Sequence, residues 1–240
     1  MIFDAPPVRL ATAAAYTLYM CQRAMFDKAI GKSDEHVRDL AKQWALGLGG
    51  RMQIEIRATG FDAIDWSKPY VVMANHQSYL DVLALFSALP KTVGVVAKKE
   101  LYRVPFFAGV MRALGCVSVD RVKKVESLTA MRDAAERVRA GSTIAVFPEG
   151  TRSPGDRIQR LKKGPFYLTQ LAQVEALPIG IRGSHALMPR KNTGIRPGLI
   201  EVFCGAPIAP PAPNDSAGRG VLMGRVRAEL GRLASVPLLD

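Results

Sequence analysis

Hydrophobic positions in this chain follow a helical period before Gly50 and a mixed pattern after it. Before Gly50 the spacing predicts two helices, the first ended by Gly31 and the second capped by Ser33 and stopped by Gly49-Gly50. Their apolar positions are Leu10, Ala14, Leu18, Cys21, Met25 and Ala29 in the first helix and Val37, Leu40, Ala41, Trp44 and Leu48 in the second. Residues 1–50 are therefore predicted to form an amphipathic helical hairpin ahead of a second unit, residues 51–240.

Short apolar runs alternate with helical patterns throughout residues 51–240. The predicted strands are Met52 to Ile56, Tyr70 to Ala74, Val93 to Ala97, Cys116 to Val119, Thr143 to Phe147, Val174 to Ile181 and Leu199 to Cys204. The predicted helices are Tyr79 to Ala88, Val104 to Ala113, Val125 to Ala140, Pro165 to Gln173 and Ala217 to Leu233. This alternation predicts an α/β fold with a central mixed, largely parallel sheet flanked by helices. The carboxyl ends of its strands are where functional side chains are expected.

The hairpin is not predicted to cross a membrane. Its uncharged run from Leu10 to Gln22 has 13 residues, whereas a spanning helix needs about 20. The charged start expected of an export signal is weak, and Tyr19-Met20-Cys21 lacks the small residues expected before a lipoprotein cysteine. Two arrangements are open for the hairpin: it packs on the rest of the chain, or it lies in the interface of a lipid bilayer.

The charge balance indicates an anionic partner. Thirty-three Lys and Arg residues face 21 Asp and Glu residues, which gives a formal net charge of +12. Nucleic acid, anionic lipid or a phosphorylated substrate could each supply that partner. No zinc-finger spacing, RNP-like aromatic block or basic heptad region supports nucleic acid. Because P-loop, G-x-G-x-x-G, HExxH and CxxC patterns are also missing, we expect no nucleotide cofactor and no metal.

One candidate for chemistry is the pair His76 and Asp81, which follows a predicted strand. A spacing of five residues across a loop-to-helix junction can bring a carboxylate back to an imidazole. The carboxylate would then hold the proton of one ring nitrogen and leave the other nitrogen free as a base. Taken alone, the same spacing is also typical of a loop histidine followed by an acid that caps a helix.

A second polar group follows another predicted strand. Gly150 frees the backbone, Thr151 offers a hydroxyl, and Arg152 offers a planar fork that suits phosphate. Glu149 would orient Arg152 or accept a hydrogen bond from a substrate hydroxyl. Taken alone, this stretch is equally typical of a polar turn.

Two further cations, Lys98 and Arg121, lie just beyond predicted strand ends. Anions would be received at this edge of the sheet. The alternative for each is a place on a solvated basic face.

Taken together, these blocks resemble the lysophosphatidic acid acyltransferase family of glycerolipid acyltransferases. The resemblance covers roughly residues 55 to 205, and the order and separation of the blocks match as well. The N-terminal hairpin is similar to the two-helix membrane-contacting motif of bacterial members. The residues that carry the resemblance are Asn75-His76-x-x-x-x-Asp81, Lys98-x-Glu100-Leu101-x-x-x-Pro105-x-x-Gly109, Phe147-Pro148-Glu149-Gly150-Thr151-Arg152-Ser153 and Ala176-Leu177-Pro178-Ile179.

The resemblance implies transfer of a fatty acyl group from a thioester to the sn-2 hydroxyl of 1-acylglycerol-3-phosphate, which gives phosphatidic acid. His76 would be the general base and Asp81 would orient it. The resulting alkoxide would attack the thioester directly, in agreement with the absence of a G-x-S-x-G nucleophile elbow. The residues implied to hold the acceptor are Glu149, Gly150, Thr151, Arg152, Lys98 and Arg121.

The implied partners are a lysophospholipid, acyl-CoA or acyl-carrier protein as donor, and an anionic membrane surface. We expect no cofactor, no metal and no nucleic acid. The chain would lie at the cytoplasmic face of a membrane without spanning it. Other lysolipids or glycerol-3-phosphate would use the same chemistry, and a lipid-binding protein without activity is the alternative from another class.

Overall fold

A computed structural model describes residues 6–120, 124–155, 157–190 and 194–239 of the chain. Within these residues, seven strands form one sheet in the order β1-β7-β6-β2-β5-β3-β4. All neighbouring strands are parallel except β6 and β7, which are antiparallel. The strands are β1 (Ile54–Thr59), β2 (Val71–Ala74), β3 (Gly94–Lys98), β4 (Val117–Val119), β5 (Ile144–Val146), β6 (Ala176–Arg182) and β7 (Gly198–Cys204).

Eight α-helices and one short 3₁₀ helix, Lys99–Arg103, are found in the described part of the chain. The α-helices are α1 (Pro6–Ala29), α2 (Asp34–Arg51), α3 (Leu80–Ala88), α4 (Phe107–Ala113), α5 (Lys124–Arg139), α6 (Lys163–Ala172), α7 (Ser184–Leu187) and α8 (Ser216–Ala234). The predicted α/β fold with a largely parallel mixed sheet and an N-terminal helical hairpin is confirmed. The 3₁₀ helix and α7 were not predicted, because four or five residues are too few to show a helical period.

The central strand β2 is buried on both faces, as is typical of a largely parallel sheet. All four of its side chains are buried, and they point alternately to the two faces of the sheet. Helices therefore cover both faces, as parallel strands require. Leu83 of α3 and Leu40 of α2 pack on one face, whereas Val138 of α5, Phe166 of α6 and Val226 of α8 pack on the other.

The turn of the hairpin forms where the sequence predicts it. Gly31 has a φ of +90°, a conformation that favours glycine. Ser33 Oγ accepts a hydrogen bond from the amide of His36 at 3.2 Å and so caps α2. Across the turn, His36 Nε2 lies 2.8 Å from Asp27 Oδ2. The two helices are thus joined by side-chain contacts as well as by the chain.

The predicted stop of α2 at Gly49-Gly50 is wrong, because the helix continues to Arg51. Gly49 is buried, and a Cβ there would lie 3.3 Å from the carbonyl oxygen of Ile54. This glycine therefore allows the start of β1 to approach the helix closely. The left-handed residue after the helix is Gln53, with a φ of +52°.

The apolar stripe predicted on α1 coincides only in part with the face that the structure buries: Cys21 is buried, but Ala14 and Ala29 are exposed. Leu18 is 44% exposed, whereas Ala13, Met20 and Ala24 are buried. Gly109 allows α1 to approach α4 closely, since Met25 Sδ lies only 2.3 Å from where a Cβ on Gly109 would be. The stripe predicted on α2 is confirmed for Val37, Leu40, Ala41 and Leu48, all buried, and Trp44 is half-buried.

The inner face of the hairpin belongs to the same hydrophobic core as α3 and the sheet. Arg9 reinforces this attachment: its guanidinium is buried and donates to the carbonyl of Met52 at 2.9 Å and to Gln53 Oε1 at 2.8 Å. None of the described helices is long and apolar enough to cross a membrane. The outer face of the hairpin exposes large apolar side chains, Phe26, Ile30 and Leu46 among them.

The contact between α8 and β6 yields a test of the fold. A Cβ on Gly180 would lie 2.5 Å from the backbone carbon of Leu233, so Gly180→Ala must displace the helix. We expect the free energy of unfolding in urea to fall by about 1–3 kcal/mol or more. Gly224→Ala in α8 is the matched control, because nothing lies within 4 Å of its Cβ position, and we expect it to stabilise by up to about 1 kcal/mol. Equal effects of the two substitutions would contradict this close packing.

Candidate functional site

The candidate site lies where two neighbouring parallel strands end. Strands β2 and β5 pair in register, with Val71 opposite Ile144 and Met73 opposite Val146. The segments that follow them, which carry His76 and Glu149, therefore leave the sheet at the same edge. This is the edge at which α/β proteins place their functional side chains.

His76 and Asp81 form the hydrogen-bonded pair that their spacing predicts. His76 Nδ1 lies 2.8 Å from Asp81 Oδ2, and Asp81 is fully buried in the first turn of α3. The same oxygen accepts from the amides of Gln77 at 2.7 Å and Ser78 at 2.8 Å. Because an ionised carboxylate only accepts hydrogen bonds, the proton of the imidazole is on Nδ1, and Nε2 is left as the basic nitrogen.

Glu149 holds the backbone of this pair in place. Its Oε1 accepts from the amide of His76 at 2.7 Å, and its Oε2 accepts from the amide of Gln159 at 2.9 Å. The side chain is only 1% exposed, and burial raises the pKa of Glu149 to about 7 although both hydrogen bonds lower it. The carboxyl group thus joins three segments of chain at the site.

Three further residues of the motifs, to which the sequence analysis gave no role, make contacts around His76. The amide of Ser153 donates to the carbonyl of His76 at 2.7 Å, and the ring of Phe147 stacks on the imidazole with centroids 4.0 Å apart. Asn75 exchanges two hydrogen bonds with the backbone of Ile181 in β6. Asn75, Phe147 and Ser153 stand inside the motifs, but only the folded chain shows what each contacts.

Gly150 and Arg152 lie in the turn that follows Glu149. Gly150 has a φ of +71°, and its amide donates to the carbonyl of Phe147 at 3.0 Å, so that amide is engaged in the turn. Thr151 follows and is half-buried. The guanidinium of Arg152 lies over the ring of Tyr79, 3.7 Å from the ring centroid.

Lys98 is the last residue of β3, at the same edge of the sheet. Its side chain is half exposed and its Nζ pairs with Glu100 at 3.2 Å. Because β5 lies between β3 and β2, Lys98 is two strands away from His76. Arg121, the other cation predicted at this edge, lies outside the described residues.

An apolar cavity of about 370 Å³ lies beside the site, between the hairpin and the sheet. Helices α1, α2, α3 and α4 all contribute to its wall, which includes Met20, Leu40, Tyr79, Phe86 and Val110. A polar cleft of about 430 Å³ opens elsewhere, near the starts of β3 and β5. Tyr79 lines the apolar cavity and also contacts Arg152, so the apolar cavity is the one that adjoins the candidate site.

The pKa of Glu149 makes the stability of the protein depend on pH. The unfolded chain loses this proton near pH 4.5, whereas the folded protein keeps it up to about pH 7. Between these values the unfolded state binds fewer protons, so the free energy of unfolding falls as the pH rises. A shift of this size corresponds to about 3 kcal/mol in full.

Glu149→Gln removes the group that titrates. We expect the free energy of unfolding of the variant, relative to the wild type, to rise by about 2 kcal/mol between pH 5 and pH 7.5 in urea titrations. Glu136→Gln on the exposed face of α5 is the control and should show no such change. A pH-independent difference for Glu149→Gln would mean that Glu149 titrates at its ordinary pKa.

Residues 55–182 match the Acyltransferase family, which is just over half of the chain. The chain is similar to a 1-acyl-sn-glycerol-3-phosphate acyltransferase from Chlamydomonas reinhardtii, with 34% identity over 56% of this chain and 41% of the relative. It is similar to the enzyme of the same name from Saccharomyces cerevisiae, with 34% identity over 59% of this chain and 48% of the relative. It is also similar to the human alpha enzyme of that name, at 29% identity over 68% of this chain and 56% of the other. The chain thus spans about half the length of these relatives.

A solved structure shares the fold. The crystal structure of the 1-acyl-sn-glycerophosphate (LPA) acyltransferase PlsC from Thermotoga maritima superposes with a TM-score of 0.78 and covers 95% of this chain and 94% of that one. The identity of 24% supports a common fold. From the match over residues 55–182, this chain belongs to the Acyltransferase family.

Proposed function

We propose that this protein transfers a fatty acyl group from a thioester to the sn-2 hydroxyl of 1-acylglycerol-3-phosphate and so forms phosphatidic acid. The observation that carries the proposal is the hydrogen bond of 2.8 Å between His76 Nδ1 and Asp81 Oδ2. It occurs in a chain of the Acyltransferase family whose relatives are named for this reaction.

The geometry of His76 suits a general base. Asp81 holds the Nδ1 proton, so Nε2 can take the proton of the acceptor hydroxyl as the oxygen attacks the thioester carbonyl. Buried Asp81 then stabilises the imidazolium that forms. The tetrahedral intermediate collapses, the thiolate leaves, and the imidazolium can return the proton to it. Base catalysis of this kind contributes about 10²- to 10⁴-fold.

A covalent route through cysteine has no support in the structure. Cys21 and Cys116 both line the apolar cavity, but burial raises the pKa of each thiol to about 11. At neutral pH both remain protonated and are poor nucleophiles. Direct attack by the acceptor hydroxyl on the thioester needs neither thiol.

The apolar cavity and Arg152 suit the two ends of a lysolipid. The cavity has the volume of an ordinary ligand pocket and a wall of apolar side chains, so we assign it to an acyl chain. The guanidinium of Arg152, which lies over the ring of Tyr79, would bind the phosphate. Glu149 would act by positioning His76, and Gly150 and Thr151 would shape the turn, with Lys98 as a further cation at the same edge.

An anionic membrane surface is the partner we propose for the exposed face of the hairpin. Phe26 is 64% exposed, Ile30 is 59% exposed and Leu46 is 56% exposed. The net charge of +12 adds attraction to anionic lipid. The protein would work from the cytoplasmic face, where acyl-CoA or acyl-carrier protein is the donor.

The proposal is tested by thioester consumption with palmitoyl-CoA or palmitoyl-carrier protein and lysophosphatidic acid in micelles. His76→Ala should lower turnover by about 10²-fold or more, whereas Asp81→Asn should retain a residual rate. His36→Ala is the matched control, since His36 also pairs with an aspartate at 2.8 Å but lies in the hairpin turn. Circular dichroism confirms that each variant is folded.

Parallel assays replace the acceptor with glycerol-3-phosphate or lysophosphatidylcholine. Turnover with only one of these acceptors would support acyl transfer by this protein but replace lysophosphatidic acid as its acceptor. Wild-type turnover in His76→Ala would refute the general base. Binding of micelles without turnover of any pair would favour a lipid-binding protein.

The membrane contact is tested by co-sedimentation with vesicles that contain phosphatidylglycerol. Because each apolar side chain gains free energy on burial, Phe26→Ser with Ile30→Ser should weaken binding about tenfold or more. Val221→Ser, at an equally exposed apolar position on α8, should leave binding unchanged. Equal binding of all three proteins would mean that this face of the hairpin does not contact lipid.

A further inference from the structure

The side chain of Tyr79 contacts Arg152 and also lines the apolar cavity. Its ring lies 3.7 Å from Arg152 Cζ, and the same residue forms part of the cavity wall. The side chain is nevertheless 60% exposed. An aromatic ring that is this exposed contributes little to the hydrophobic core, so its contacts suggest another role.

The backbone of Tyr79 is held by the same turn that presents Asp81. Tyr79 precedes α3 directly. The neighbouring Ser78 Oγ donates to the carbonyl of Met188 at 2.9 Å and accepts from the amide of Leu80 at 3.2 Å. The position of Tyr79 is therefore tied to that of Asp81, two residues further along the chain, and through it to His76.

Arg152 depends on Tyr79 for its orientation. Its carbonyl oxygen accepts from Gln159 at 3.2 Å and from Arg190 at 3.0 Å, which fixes the backbone but not the guanidinium. No carboxylate pairs with that guanidinium among the residues described. A contact over the face of an aromatic ring orients an arginine without using its N–H donors, so these remain free for an anion.

We infer that Tyr79 is a positioning residue that sets the register of the lysolipid in the site. The contact with its ring holds the guanidinium of Arg152 toward the acceptor phosphate, while the ring itself separates that polar site from the cavity that takes an acyl chain. The phosphate and the acyl chain are thereby kept on opposite sides of one rigid aromatic ring. This inference rests on the proposed function.

A double-mutant cycle between Tyr79 and Arg152 tests the inference. Binding of a lysophosphatidate with a six-carbon chain, which is monomeric in solution, is measured by calorimetry. Tyr79→Leu should weaken binding about two- to fivefold in the presence of Arg152 and should have no such effect in the Arg152→Ala background. Tyr79→Phe keeps the aromatic face and should restore the affinity.

Tyr19→Leu is the matched control, because Tyr19 is 53% exposed on α1 and does not contact Arg152. Kinetics give a second readout: Tyr79→Leu should raise the acceptor KM and leave kcat nearly unchanged. Equal losses of affinity in both arginine backgrounds, or no rescue by Tyr79→Phe, would overturn the inference.

The binding readout separates this inference from the proposed function. If the wild type binds the ligand but transfers no acyl group, the proposed function is wrong and the cycle still decides the role of Tyr79. If the wild type transfers acyl groups and the cycle shows no coupling, the proposed function stands and the inference is wrong. Absence of any binding by the wild type would overturn both.

Discussion

The hydrogen bonds between the segments that follow β2 and β5 are the interaction on which the site depends. Glu149 accepts from the amide of His76, and Ser153 donates to the carbonyl of the same residue. The backbone N–H and C=O groups of His76 are thus both held by the segment that follows β5. With Asp81 on the ring nitrogen, the imidazole is fixed at its backbone and its side chain, which is the preorganisation that proton transfer requires.

This arrangement has an energetic consequence for the fold. A carboxyl group that is 1% exposed is held near the fully buried Asp81, and burial moves the pKa of Glu149 to about 7. The protein is thereby less stable at neutral pH than near pH 5, where Glu149 remains protonated in the folded state. A local loss of stability of this kind is common where function requires a fixed polar group.

The hairpin joins the site to the lipid that we propose as its substrate. Its inner face completes the core together with α3 and forms one wall of the apolar cavity. Its outer face leaves Phe26 and Ile30 exposed. The two arrangements considered for the hairpin are therefore compatible, because packing uses one face of the helices and leaves the other for a bilayer.

Local sequence determined the type and order of most elements, since alternating periods and caps such as Ser33 act over a few residues. The motifs also indicated His76 and Asp81 as a pair, because their separation is short. Only the tertiary structure decided which face of α1 is buried, where α2 ends, and that Glu149, Tyr79 and Phe147 meet His76 or Arg152. Those contacts join residues that are distant in the chain, and their geometry depends on the order and register of the strands, which no local pattern encodes.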